Sequence, residues 1–266
     1  SIFHNDVVLV PAHLAFTPYI PTDPGLPLAY SSTNGLASGN TIEEAALHAI
    51  YEAIERDAEM IAEYSGRIKS VNLDSVSSPE VKELVDRFKV CNIQLHVKEI
   101  TQDIPVPTFL ATCVDWETNQ SRYINGGKGT HLDPEVALIR AITECSQSRV
   151  IGIAGIREDM MLKSTQVTNI DFKKMYEENR FWYEPSGELM DFSDCQDRAT
   201  TSVMDDLNII LDMLHDASVE DVCVLDMTRP ELGIPVARVC IPGLEYKTEG
   251  NWIGPRAMRY YNSGLD

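Results

Sequence analysis

Glu44, His48, Glu52, Glu55 and Glu59 share a narrow stripe of one helical segment. At about 100° per residue, the last four lie within roughly 80° of Glu44, and Arg56 borders the same stripe. Leu47, Ile50, Tyr51, Ile54, Ala58 and Ile61 form a separate arc centred about 80° to the other side, which predicts the packing face. Like charges three or four residues apart cost about 0.2–0.5 kcal/mol each, and a solvated helix ordinarily interleaves lysines to avoid this. Residues 41–63 contain no lysine. Two readings account for the stripe. Hard divalent cations such as Mg²⁺ take one or two carboxylates each, with phosphate and water completing the shell, and Glu44, Glu52 and Glu55 could serve two such ions. Alternatively, the stripe is a solvated face on an acidic protein.

In "IRAITECSQ", Arg140, Glu144 and Gln147 stand at i, i+4 and i+7 on one face. Arg140 can donate to phosphate oxygens as a fork, Glu144 can ligate a metal, and Gln147 can hydrogen-bond a phosphate or a base. An exposed Arg140–Glu144 ion pair would explain the same spacing. Two glycine stretches, "NGLASGN" and "NGGKGT", precede helices, where free N–H groups favour anions. Neither ends in the G-K-[ST] of a Walker A loop.

Forty-one acids against 22 bases give a formal charge of −19. Such a field repels nucleic acid and anionic membrane, so neither is an expected partner. An anionic nucleotide would need local cations to offset it. The six histidines have no H-E-x-x-H or finger spacing, and no G-x-S-x-G elbow or Rossmann fingerprint occurs. The six cysteines stand singly and read as reduced core residues of a cytoplasmic protein. No signal peptide or long apolar span is present.

These groups must be positioned by an alternation of helices and strands. Residues 1–30 predict a strand and an irregular segment punctuated by prolines. A long helix follows from Thr41 to Glu63, with Asn40 or Thr41 as N-cap and Gly66 as its stop. A second helix runs from Ser78 to Val90, and "IQLHVKEI", "PTFLATCVD" and "SRYINGG" read as strands. "DPEVALIRAITECSQSRV" is a helix with Asp133 as N-cap and Pro134 at its first position. "VMDDLNIILDMLHDA" is helical, and "DVCVLDMT" and "PVARVCIPG" are buried strands. Residues 160–200 have no clean period. With 44% hydrophobic residues and no boundary-like linker, the expectation is one α+β domain over 1–266, a mixed sheet with packed helices.

The stretch "SSTNGLASGNTIEEAALHAIYEAIERDA" resembles the signature of the YcaO family, and "GKGTHLDPEVALIRAITECSQSR" resembles its second conserved segment. "VCVLDMTRPELGIPVARVCIPGLE" is similar to the strand pair that follows. The resemblance implies an enzyme that uses ATP and Mg²⁺ to phosphorylate a peptide amide oxygen, after which a nucleophile attacks and phosphate leaves. It makes Glu44, Glu52, Glu55 and Glu144 metal ligands. Asn40, Arg56, Arg140 and Gln147 match positions that contact nucleotide or phosphate, with Arg56 and Arg140 neutralising the transferring phosphoryl group. His48 supports these ligands from behind, and Ala37 stands where some relatives have Ser.

Two departures bear on the reaction. The family's upstream G-K-G and acid-helix segment is not in this sequence, so the expectation is a C-terminal portion of a longer chain or a form completed by a partner. The end, "GNWIGPRAMRYYNSGLD", lacks the proline-rich tail of azoline-forming members. The resemblance therefore leans to the branch in which a sulfide source makes a backbone thioamide, associated with methyl-coenzyme M reductase and a TfuA-like partner. It implies a peptide or protein substrate and a homodimer. Azoline cyclodehydration and a catalytically silent peptide- or partner-binding scaffold are the alternatives.

Overall fold

The computed structural model describes residues 1–20, 31–118, 120, 124–154, 171–247 and 253–263. In chain order these carry α1 (Ala12–Ala15), β1 (Leu36–Ser38), α2 (Ile42–Ser65), β2 (Lys69–Asn72), α3 (Pro79–Val90), β3 (Gln94–Glu99), β4 (Thr108–Val114), β5 (Ile124–Thr130) and α4 (Pro134–Ala154). Then follow α5 (Phe172–Glu178), α6 (Arg180–Tyr183), β6 (Leu189–Asp191), α7 (Val203–Asp216), β7 (Cys223–Asp226), β8 (Val236–Cys240) and α8 (Pro255–Ser263). The fold is α+β, as the alternation predicts.

Two compact units form. The first comprises Ser1–Arg67, Gln102–Val106 and Ala199–Asp266. Its antiparallel sheet runs β1-β8-β7, with Leu36 opposite Arg238 and Cys223 opposite Cys240. Helix α2 begins at Thr41, whose hydroxyl accepts from the Glu44 N–H at 3.2 Å, and ends at Gly66 in the left-handed region. Both limits are the predicted ones, because capping chemistry is local. Ala45 and Ala46 pack with Ala237 of β8, and these small side chains let helix and sheet approach closely. The predicted apolar arc is buried throughout.

The second unit comprises Ile68–Thr101 and Pro107–Arg198. Its sheet runs β5-β4-β3-β2-β6, antiparallel except for the parallel β2–β6 pair. Helices α3 and α4 supply Val81, Val85, Phe88, Leu138 and Ile142 to a core with Val97, Phe109 and Cys113 of the strands. Strand β4 is buried at every position. Part of the stretch that sequence periodicity leaves unassigned explains why. Phe172 and Met175 of α5 and Tyr183 of α6 pack with Val114 and Ile124, while residues 155–170 lie outside the described residues.

Two expectations are corrected. Residues 1–20 contain no strand; Val7 and Leu9 are 99% and 100% exposed, because apolar alternation makes a strand only where another edge completes its ladder. Residues 21–30 lie outside the described residues. "NGGKGT" is not an anion-cradling loop but lies in β5, paired residue for residue with β4. Its Gly127 and Gly129 abut α4: a Cβ on either would overlap the helix backbone at Cys145 or Ala137.

No described helix is long and apolar enough to cross a membrane. All six cysteines are free thiols.

Candidate functional site

In the first unit the acid stripe of α2 is not a solvated face. Glu44, His48, Glu52 and Glu59 are half-buried and Glu55 is only 8% exposed. Each carboxylate with a resolved contact is held by a backbone N–H or a cation. Glu44 Oε2 accepts from the Asn40 backbone N–H at 2.7 Å and from its side-chain amide at 2.9 Å. The Asn40 backbone bond is the main reason the Glu44 carboxyl sits below the usual carboxylate range. Glu52 Oε2 accepts from the Gly35 N–H at 3.1 Å. Arg56 bridges the stripe, 3.7 Å from Glu52 and 3.7 Å from Glu55. The helix therefore offsets part of its own repulsion with one guanidinium and with N–H groups of the preceding loop. Gly39 lies against the first turn, where a Cβ would crowd Glu44 and the Ala45 nitrogen.

In the second unit α4 carries Arg140, Glu144 and Gln147. Glu144 Oε2 accepts from the Lys128 N–H at 2.6 Å, on the outer edge of β5. Arg140 is half-buried and donates to the Thr130 carbonyl at 3.4 Å, and Gln147 is exposed. The structure thus groups Asn40, Glu44, Glu52, Glu55 and Arg56 on or beside α2, and Arg140, Glu144 and Gln147 on α4.

A further charged cluster of the first unit is absent from the sequence reading. Asp57, 2% exposed, accepts from Arg256 Nε at 3.0 Å and Nη2 at 2.9 Å, and from the Glu245 N–H at 2.8 Å. Arg256 also reaches Asp103 at 2.7 Å. Glu245 in turn accepts the N–H groups of Gly254, Arg256 and Ala257, holding the start of α8 as a capping acid does. Burial raises the Asp57 carboxyl above its ordinary value, with Arg256 opposing that shift. The one sequence signal was an aspartate at the margin of the apolar arc.

A family model described as YcaO cyclodehydratase, ATP- and Mg²⁺-binding, matches residues 1–245. The chain belongs to the YcaO family. Among similar proteins, one from Methanothermobacter thermautotrophicus, itself uncharacterized, is 36% identical over 242 residues, covering 91% of this chain and 63% of its own length. A protein named for the tfuA 3′ region of Rhizobium leguminosarum bv. trifolii is 32% identical, covering 85% of this chain and 56% of its own. The chain thus spans about three fifths of these two relatives. Among solved structures, YcaO from Methanopyrus kandleri bound with AMPPCP and Mg²⁺ is 25% identical with a TM-score of 0.76, covering 92% of this chain and 62% of that one. The heterocyclase TruD is 27% identical with a TM-score of 0.74, covering 93% and 34%.

ATP and Mg²⁺ are the cofactors of this family, and the α2 donor set fits them. Glu44, Glu52 and Glu55 offer hard carboxylate oxygens, with Arg56 beside them for phosphate charge. Among the described residues no three His, Cys, Asp or Glu side chains gather as a ready-made cage. Mg²⁺ needs none, because it keeps much of its shell in water and phosphate.

Proposed function

We propose that this YcaO chain activates a peptide backbone amide with ATP and Mg²⁺ and that sulfide then converts the amide to a thioamide. The observation that carries the reading is the partly buried stripe of Glu44, Glu52, Glu55 and Arg56 in a chain whose family binds ATP and Mg²⁺. Glu44, Glu52, Glu55 and Glu144 would hold the metal, and Mg²⁺, when bound, would neutralise charge on the triphosphate and on the phosphoryl being transferred. Asn40, Arg56, Arg140 and Gln147 would orient the nucleotide.

An amide oxygen is a poor leaving group. Phosphorylation by the γ-phosphoryl releases ADP and places phosphate on that oxygen. Hydrosulfide adds to the carbon, the C–O bond breaks, inorganic phosphate leaves, and loss of the sulfur proton gives the thioamide. Arg56 and Arg140 would balance the negative charge that develops on the transferring group, which water alone does poorly in a partly buried site. The two units serve this one reaction as a single YcaO domain.

The thioamide branch is supported by the relatives from a methanogen and from a tfuA region. Methyl-coenzyme M reductase is the suggested protein substrate and a TfuA-like protein the sulfur-delivery partner. The enzyme works in the cytoplasm as a homodimer, in keeping with its free thiols and its family resemblance. Azoline cyclodehydration is the second reading, favoured by the likeness to the heterocyclase TruD.

Calorimetric titration of ATP into the chain, with Mg²⁺ and then with EDTA, tests the nucleotide site. Metal-dependent binding is expected. Mass spectrometry of a peptide incubated with ATP, Mg²⁺ and sulfide separates the branches: oxygen-to-sulfur exchange marks thioamidation, and loss of water without sulfide marks azoline formation.

A further inference from the structure

The first unit encloses a partly open pocket of about 260 Å³, lined by Leu14, Asn34, Ala53, Arg238, Leu244 and Tyr246 among others. We propose that this pocket binds the carboxyl terminus of a peptide, with Arg238 as counter-charge to the carboxylate and Asn34 as acceptor for the adjoining amide N–H.

Arg238 is 3% exposed on β8, the central strand of its sheet. Its Nη1 donates to the Ser32 carbonyl at 2.8 Å, while Nε is buried without an acceptor. No Asp or Glu forms an ion pair with it among the described residues. A guanidinium cannot shed its proton to escape burial, so one with no acid partner among the described residues, set in an apolar pocket, calls for an anion. The neighbouring acids do not supply it. Burial raises the Cys240 thiol and the Tyr246 phenol even with Arg238 pulling both down, so both stay neutral near pH 7.

Asn34 Oδ1 is the complementary orphan, a buried acceptor with no donor among the described residues. The occupant therefore carries an anion and a nearby N–H, with an apolar body for Leu14, Ala53 and Leu244. The C-terminal residue of a peptide combines all three. The volume of about 260 Å³ is of the order of one residue. A free amino acid has the same carboxylate but adds an ammonium, which a buried guanidinium repels at low dielectric. Inorganic phosphate offers neither N–H nor apolar body.

The inference goes beyond amide activation and does not rest on it. The test is calorimetry on the 266-residue chain without ATP or Mg²⁺, so its failure leaves that reading standing. N-acetyl-leucine is expected to bind at least tenfold more tightly than N-acetyl-leucinamide, free leucine or inorganic phosphate. Arg238→Leu should abolish the preference, and Leu14→Trp, which fills the pocket and leaves the cation, should weaken binding of the acid. The comparison of acid with amide on the unmodified chain needs no variant to fold. Equal binding of acid and amide, or no binding of the acid, overturns the proposal. Equal binding of free leucine overturns the peptide terminus in favour of an amino acid, and equal binding of phosphate overturns the carboxylate.

Discussion

Gly127 of β5 lies so close to Cys145 of α4 that a Cβ on it would overlap the cysteine's backbone nitrogen. The helix bearing Arg140 and Glu144 is thus seated on bare strand backbone, and Gly129 repeats the arrangement one pleat along.

Gly127→Ala and Gly129→Ala should each cost about 1–3 kcal/mol by overpacking, read from the urea midpoint. Gly126→Ala is the control, because its Cβ would meet the Ala111 carbonyl at an ordinary 3.5 Å. A Gly127→Ala protein that keeps full stability would show that α4 can lift away without penalty.

On α2, Glu52→Gln and Glu55→Gln should weaken Mg²⁺-dependent ATP binding at least about tenfold, measured by calorimetry. ATP affinity unchanged in both variants would remove these residues from the metal site.

The Asp57–Arg256 pair is the structural counterpart. Its atoms are buried and bonded at 2.9 and 3.0 Å, so Arg256→Ala strands a buried aspartate and should cost about 3–5 kcal/mol. Replacing both partners, Asp57→Leu with Arg256→Met, should recover much of that loss in chemical denaturation. If the double variant is as weak as the single one, the cost lies in packing rather than in the stranded charge.

Lys98 of β3 supplies a pH signature. It is buried, its ammonium donates to the Phe181 carbonyl, and burial pushes its pKa down to about 8. The native state then releases a proton that the unfolded chain holds up to the ordinary value of 10.5, so this group adds stability as pH rises from about 8 to 10.5. Lys98→Met should be more stable than the parent by roughly 3 kcal/mol at pH 7, and that advantage should vanish toward pH 10.5. An advantage that holds constant across this range would mean Lys98 is not desolvated.

The limits of α2 and α3, the start of α4, the paired β7 and β8 and the α+β class were legible in the chain, because caps, periodicity and turn chemistry act over a few residues. The acid stripe was legible too, since helical spacing alone aligns Glu44, Glu52 and Glu55. Whether that stripe faced water was not: burial of Glu55 depends on elements distant in sequence. Tertiary structure also carried the strand read over "SRYINGG" on to Thr130 and set it against α4, because a glycine signals close approach without naming its partner. Asp57 met Arg256 across 199 residues, and Arg238 and Asn34 came to line one pocket across 204. Such encounters are decided by long-range packing, which no local pattern encodes.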